Sequence, residues 1–315
     1  MSDRPRHTPH SGANHPLVRR WHLTRHRAGR LDPAMQGLLW MLVAGMGFVL
    51  LNTTVRYLTT HIHPLQSQFL RYLGGLVVML PLVARQGWRT YKPKNITGQF
   101  TRGAVHAVAL ALWFIALPQI SLADMTALGF TTPIFIMLGA WLFLHEPMRW
   151  DRWVAAGVGF LGVLIVVGAG LNGQGGFYNL VMLASCPVFA ASFLITKALT
   201  RYESPGVIVL WQALTVTLLS LPLALLHWQH PSLWQWAGYL LCGVLGSGAH
   251  YCLTRAYVVA DISATQSLKF LDLVWASLLG WLVFSDQPRQ TTLMGGVVIC
   301  AATLWIARRE SRRSV

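Results

Sequence analysis

Charge is what this sequence has least of. Only 11% of its 315 residues are Asp, Glu, Lys or Arg, and just 10 are acidic, where a soluble protein carries about 25% charged residues. A water-facing surface for a chain of this length needs more, which excludes a soluble globular enzyme. Cysteine is scarce too. Cys186, Cys242, Cys252 and Cys300 all lie in apolar runs and none forms a C-x-x-C pair, so neither a disulfide framework nor a zinc site is supported. There is no Walker motif, no H-E-x-x-H and no nucleophile elbow, which argues against ATP hydrolysis and against an intramembrane enzyme. The stretch 157–162 does match G-x-G-x-x-G. It sits inside an apolar run without a preceding strand, so it reads as close helix packing rather than a dinucleotide site. No cofactor and no metal are expected.

Apolar residues are abundant at 54% of the chain, and they fall in long continuous runs. Runs of about 18 or more residues read as membrane-spanning helices. Ten occur: 36–56, 64–84, 99–118, 122–144, 151–169, 177–197, 205–226, 233–254, 263–284 and 291–307. Barrel strands would be half as long and alternating, so the expected fold class is all-α and integral to the membrane. The links are short, which makes neighbouring helices antiparallel and leaves no room for a soluble domain. Residues 1–35 are polar, rich in Arg and His, and lack the apolar core of a signal peptide; a disordered cytoplasmic tail is expected there, with a second basic tail at 308–315.

The net charge of +15 has a membrane explanation as well. With the N-terminus inside, 21 Lys and Arg residues flank the inner ends of the runs and two, Arg56 and Arg289, the outer ends. The retention of basic residues on the cytoplasmic side accounts for this split and places both termini in the cytoplasm. No basic stripe with interleaved aromatics suggests nucleic acid.

The chain also repeats itself at an offset near 140 residues. AWLFLHEPMR at 140–149 aligns with GWLVFSDQPR at 280–289, Leu-Pro-Leu at 80–82 with 221–223, and Phe130 with Phe270. Five spans per half is an odd number, so the second half, 177–307, must enter the membrane in the opposite sense to the first, 36–169. Inverted repeats of this kind recur in transporters that expose one central site alternately to either side.

Residues 116–166, ALPQISLADMTALGFTTPIFIMLGAWLFLHEPMRWDRWVAAGVGFLGVLIV, resemble the signature half-repeat of EamA-type carriers of the drug/metabolite transporter superfamily. The first half is most similar to bacterial uptake carriers for S-adenosylmethionine and riboflavin. The resemblance implies ten helices, a central cavity lined by the first four helices of each half, and residence in a bacterial inner membrane. The second half departs from the pattern: Ala264 stands where the first half has Asp124, and Lys269 and Asp272 replace Gly129 and Thr132.

Ionisable groups in hydrocarbon are costly and usually face a cavity. Arg71 in the second span, and Lys269 and Asp272 three residues apart in the ninth, are therefore candidate substrate contacts. The two cations suit a carboxylate or phosphate, and Asp272 would tune Lys269 or accept a coupling proton. An internal Lys269–Asp272 pair, or Arg71 reaching to the outer interface, is the structural alternative. Asn52, Gln68, Gln212 and Gln266, with His106 and His250, are polar residues able to read a ligand or to bond a neighbouring helix. Trp113 and Tyr251 are candidate stacking surfaces. Glu146 reads as a turn or cap residue. The expectation is a secondary transporter of a small polar metabolite, in the uptake or the export direction, embedded in the lipid bilayer, with a homodimer among the arrangements open to it. A membrane-embedded lipid-modifying enzyme is the weaker reading.

Overall fold

The computed structural model describes residues 33–59, 62–116, 119, 128–167, 176–284 and 290–311. Nearly all of the basic N-terminal stretch, Asp124 and residues 285–289 lie outside them. Every regular element among the described residues is helical. The helices are α1 (Pro33–Thr59), α2 (Pro64–Gln86), α3 (Ile96–Ala116), α4 (Thr132–Leu144), α5 (Trp150–Val167), α6 (Phe177–Leu199), α7 (Pro205–Leu225), α8 (Leu233–Val259), the single turn α9 (Ile262–Thr265), α10 (Leu271–Phe284) and α11 (Gln290–Ser311). Five of them, α1, α2, α3, α6 and α7, are long and apolar enough to cross a membrane by length and composition.

Local chemistry explains the helix ends. Pro64 and Pro205 occupy first-turn positions, where a missing N–H costs nothing. The Ser204 hydroxyl accepts from the Val207 amide, and Ser232 and Gln235 close a reciprocal capping box at the start of α8. Gly87, at φ 83°, ends α2 in a backbone region that glycine alone enters freely.

Packing follows a pattern that survives exchange of the two halves. Helix α1 packs on α8, α3 on α6, α2 on α7 and α8, α3 on α7, and α5 on α11. Small residues let the backbones approach. A methyl group added at Gly243 of α8 would strike the backbone of Gly74 in α2, and one at Gly159 of α5 would strike the ring of Phe270. That last contact places the G-x-G-x-x-G stretch in helix packing. Phe270 in turn stacks on Phe130, its repeat counterpart, at 5.7 Å between centroids.

The ninth apolar run is not one helix. A 3-10 turn, Gln266–Phe270, separates α9 from α10. The fourth run breaks near the corresponding place: Leu128 and Gly129 are helical, Phe130 and Thr131 form a turn, and α4 begins at Thr132. Continuous hydropathy conceals such breaks, because a 3-10 turn exposes no more polar surface than an α-helical one when it is packed on both sides.

Candidate functional site

The middle of the molecule holds more polar chemistry than an apolar bundle needs. Where α2, α7 and α8 meet, a narrow cleft is lined by Arg71, Tyr72, Gln212, Ser247 and His250, with Cys242, Val209, Ala213 and glycines 75, 243 and 246. Gly246 leaves room beside the guanidinium, since a methyl group there would lie 3.9 Å from Arg71 Nε, while Gly243 lets α8 approach the α2 backbone. Arg71 lies over the Tyr72 ring, 5.1 Å from its centroid. Its guanidinium has no carboxylate partner among the described residues, and no acidic side chain lines the cleft.

Behind the cleft runs a buried network. The Tyr72 hydroxyl is 2.9 Å from His106 Nε2, and His106 Nδ1 is 3.1 Å from Ser192 Oγ. Gln212 Nε2 lies 3.5 Å from the Tyr72 hydroxyl and 3.4 Å from His250 Nε2. Gln212 Oε1 accepts from Arg102 Nη2 at 2.7 Å. Arg102 is 1% exposed. It also donates to the Ile208 carbonyl at 3.1 Å and to the Thr196 hydroxyl. From the sequence it counts as one more basic flank of the inner surface; the structure places it inside the bundle on α3. The available signal was its position three residues into the predicted span 99–118.

A second charged cluster adjoins the first. Lys269 Nζ lies 3.5 Å from Asp272 Oδ2 and 4.7 Å from the centre of the Phe48 ring. The same ring meets His250 edge-on at 4.9 Å. Phe48 of α1 thus separates the Lys269–Asp272 pair from the cleft. The pair forms across the junction of the 3-10 turn with α10, not along one continuous helix face, and Gly45 of α1 leaves the slot that the Asp272 carboxylate occupies.

The remaining sequence candidates divide. Gln212 is buried at the centre of the network, and Gln68, one helical turn before Arg71, is buried with its Oε1 unpartnered. Gln266 is fully buried but turns back on the adjoining α9, donating to the Ile262 carbonyl at 2.8 Å and to Thr265 Oγ1 at 3.1 Å. Trp113 packs edge-on to Phe114 at 5.0 Å. Asn52 and Tyr251 are exposed on the helix surfaces and do not line the cleft. No group of three or more His, Cys, Asp or Glu residues able to hold a metal occurs among the described residues.

Comparison with known proteins agrees with this architecture. The EamA-like transporter family matches the chain twice, at residues 35–168 and 176–308. The chain is 34% identical over 283 residues to the riboflavin transporter of Rhizobium johnstonii, covering 89% of this chain and 93% of that one. It is 27% identical over 279 residues to the S-adenosylmethionine uptake transporter of Rickettsia bellii, covering 88% and 94%. A solved crystal structure superposes with a TM-score of 0.76 at 17% identity, over 88% of this chain and 98% of that one, which shows a shared fold. With two family repeats, apolar helices of membrane length and relatives matched over almost their whole lengths, the chain belongs to the EamA-like transporter family and is a multi-pass membrane transport protein.

Proposed function

We propose that the protein carries an acceptor-rich planar metabolite into a bacterial cell by alternating access, and that riboflavin is the first substrate to try. The observation behind this reading is the polarity of the central cleft: a guanidinium without an acid partner, amide, hydroxyl and imidazole groups, and no carboxylate. Such a lining suits carbonyl oxygens and ring nitrogens, or an anion. It disfavours S-adenosylmethionine, whose sulfonium and ammonium charges would face Arg71 in a medium that screens them poorly. In this closed form the cleft is far smaller than an organic ligand, so the helices around it must part to admit one.

Ten spans in two inverted repeats underlie the mechanism. The reading is supported by the helix pairing that is unchanged when the halves are exchanged, and by the stacking of Phe130 on Phe270 near the break in each half. Both termini lie in the cytoplasm, as the distribution of basic residues implies. Arg71, Gln212 and Gln68 contact the substrate. Lys269 and Asp272, neutralised by each other when the site is empty, re-pair as it fills, which spares the bundle a bare charge during the transition.

Proteoliposomes loaded through the purified carrier test this. Wild-type protein takes up labelled riboflavin and not S-adenosylmethionine. Arg71→Ala and Lys269→Ala each lower the flux by about tenfold or more, the loss of one charge-assisted contact, while inserting normally. S-adenosylmethionine uptake by the wild type, or full riboflavin flux in both variants, would overturn the assignment.

A further inference from the structure

We propose that Arg102 is a positioning residue that sets the hydrogen-bond polarity of the cleft: it holds the Gln212 amide carbonyl turned away from the cleft, so that the Gln212 NH2 group fixes His250 there as a donor. The proposal rests on the cleft being the substrate site and deepens that reading.

A guanidinium donates and never accepts. Arg102 is wholly buried and spends its donors on Thr196 Oγ1, the Ile208 carbonyl and Gln212 Oε1. Only the carbonyl end of the Gln212 amide can face it, because the NH2 end would set donor against donor. The Gln212 NH2 group is thereby directed at the Tyr72 hydroxyl and at His250 Nε2. That nitrogen must then accept, which makes His250 a neutral imidazole protonated on Nδ1. His250 Nδ1 is buried without a partner, and His250 lines the cleft. The Tyr72 hydroxyl, accepting from Gln212, also meets His106 Nε2, and His106 Nδ1 meets Ser192, contacts that either tautomer of His106 can make. One buried cation thus orients the Gln212 amide and, through it, the His250 imidazole. A ligand group that reads His250 Nδ1 must therefore be an acceptor.

Two measurements test this separately from the substrate assignment. In purified protein labelled with 15N-histidine, the His250 signal, assigned by its loss in His250→Gln, reports the Nδ1-protonated tautomer. In Arg102→Met the amide is released and that signature is lost or mixed. In proteoliposomes, Arg102→Met and Gln212→Ala each raise the riboflavin KM about tenfold, the equivalent of one hydrogen bond, with Vmax little changed. The double variant is no worse than Gln212→Ala alone, because Arg102 acts through Gln212. Gln212→Glu, which satisfies Arg102 at least as well and so folds, presents no donor and raises KM by at least as much. An unchanged tautomer in Arg102→Met, additive KM effects, or a normal KM in Gln212→Glu would overturn the proposal. If Arg102→Met does not fold, Gln212→Glu and the wild-type tautomer decide it. A wild type that carries no riboflavin but shows the stated tautomer, lost on Arg102→Met, would remove the substrate and leave the positioning role standing.

Discussion

The two ends of the bundle are closed by different chemistry. At the end where α1 begins and α11 finishes, charged groups tie one half to the other. Glu146, after α4, accepts from the Ile262 amide at 2.8 Å and from the amide and hydroxyl of Ser263 at 3.1 and 2.5 Å. Arg152 reaches Asp261 at 3.0 Å and Ser263 Oγ at 2.7 Å. Within the second half, Lys197 adds donations to the carbonyls of Tyr257 and Ala260, both at 2.7 Å. Glu203 accepts from the amides of Lys94 and Asn95 at 2.6 and 2.9 Å. Among the described residues, the opposite end uses neutral groups. Gln66 exchanges two hydrogen bonds with the backbone of Gln229, at 2.6 and 2.9 Å, Ser67 meets the Tyr239 hydroxyl at 2.7 Å, and His63 stacks on His227 at 4.0 Å. Charge-assisted bonds are roughly twice as strong as neutral ones. If the carrier opens alternately at its two ends, as proposed, these described contacts set unequal resistance to the two openings.

Removing the charged clamp is the severest way to break the comparison. Glu146→Ala strands the first two amides of α9 and the Ser263 hydroxyl. Glu146 is 8% exposed, so water reaches these groups poorly, and the expected loss is about 3 kcal/mol. Thermal unfolding in detergent reads it as a lower midpoint. Glu146→Gln, able to accept but uncharged, falls between. If Glu146→Ala unfolds where the wild type does, the terminal end is not held by charge.

Glu146 also shows where the sequence stops being legible. Its place in a turn after an apolar run marks it as a cap, and it is one, but the helix it caps belongs to the other half. Capping signals are local, and nothing within a few residues of Glu146 reveals that α9 will lie beside it. Helix positions are easier, since bilayer thickness imposes length on apolar runs: the runs 64–84, 177–197 and 205–226 emerge as Pro64–Gln86, Phe177–Leu199 and Pro205–Leu225. Lys269 and Asp272 were recognisable as a pair by spacing and charge. The 3-10 turn that presents Lys269 was not, because the residues around it are as apolar as those of a helix. Arg102 is the instructive miss: a basic residue near a span end satisfies the positive-inside rule by itself, which removes any reason to place it in the core.

At the opposite end the matching change should cost less. Gln66→Ala removes two neutral hydrogen bonds to Gln229, worth about 1 kcal/mol each at most once water takes over at the free backbone groups. Its unfolding midpoint should fall by clearly less than that of Glu146→Ala. If transport opens at both ends, Gln66→Ala should also raise the rate at which the non-terminal end opens, read as faster alkylation of a cysteine placed at Ser67. Equal midpoints for the two alanine variants would erase the asymmetry.

The smallest effect is one of pH, and it belongs to the neutral end alone. His63 is held below the usual histidine pKa of 6.5, first by partial burial and then by His227 stacked against it. A base whose folded pKa is depressed binds its proton more tightly when unfolded. Its contribution to stability is therefore intact above about pH 6.5 and is lost as the pH falls below that value. Because the ring is mostly solvated, the shift in midpoint is slight, and it must be read as a difference: the loss between pH 7.5 and 5.5 should be smaller in His63→Gln than in wild type. Removing a group of the charged clamp should leave that difference unchanged, since Glu146 and its partners lie at the far end of the bundle. An identical pH response in wild type and His63→Gln would mean that the stacked pair carries no charge penalty and that the neutral end is insensitive to acid.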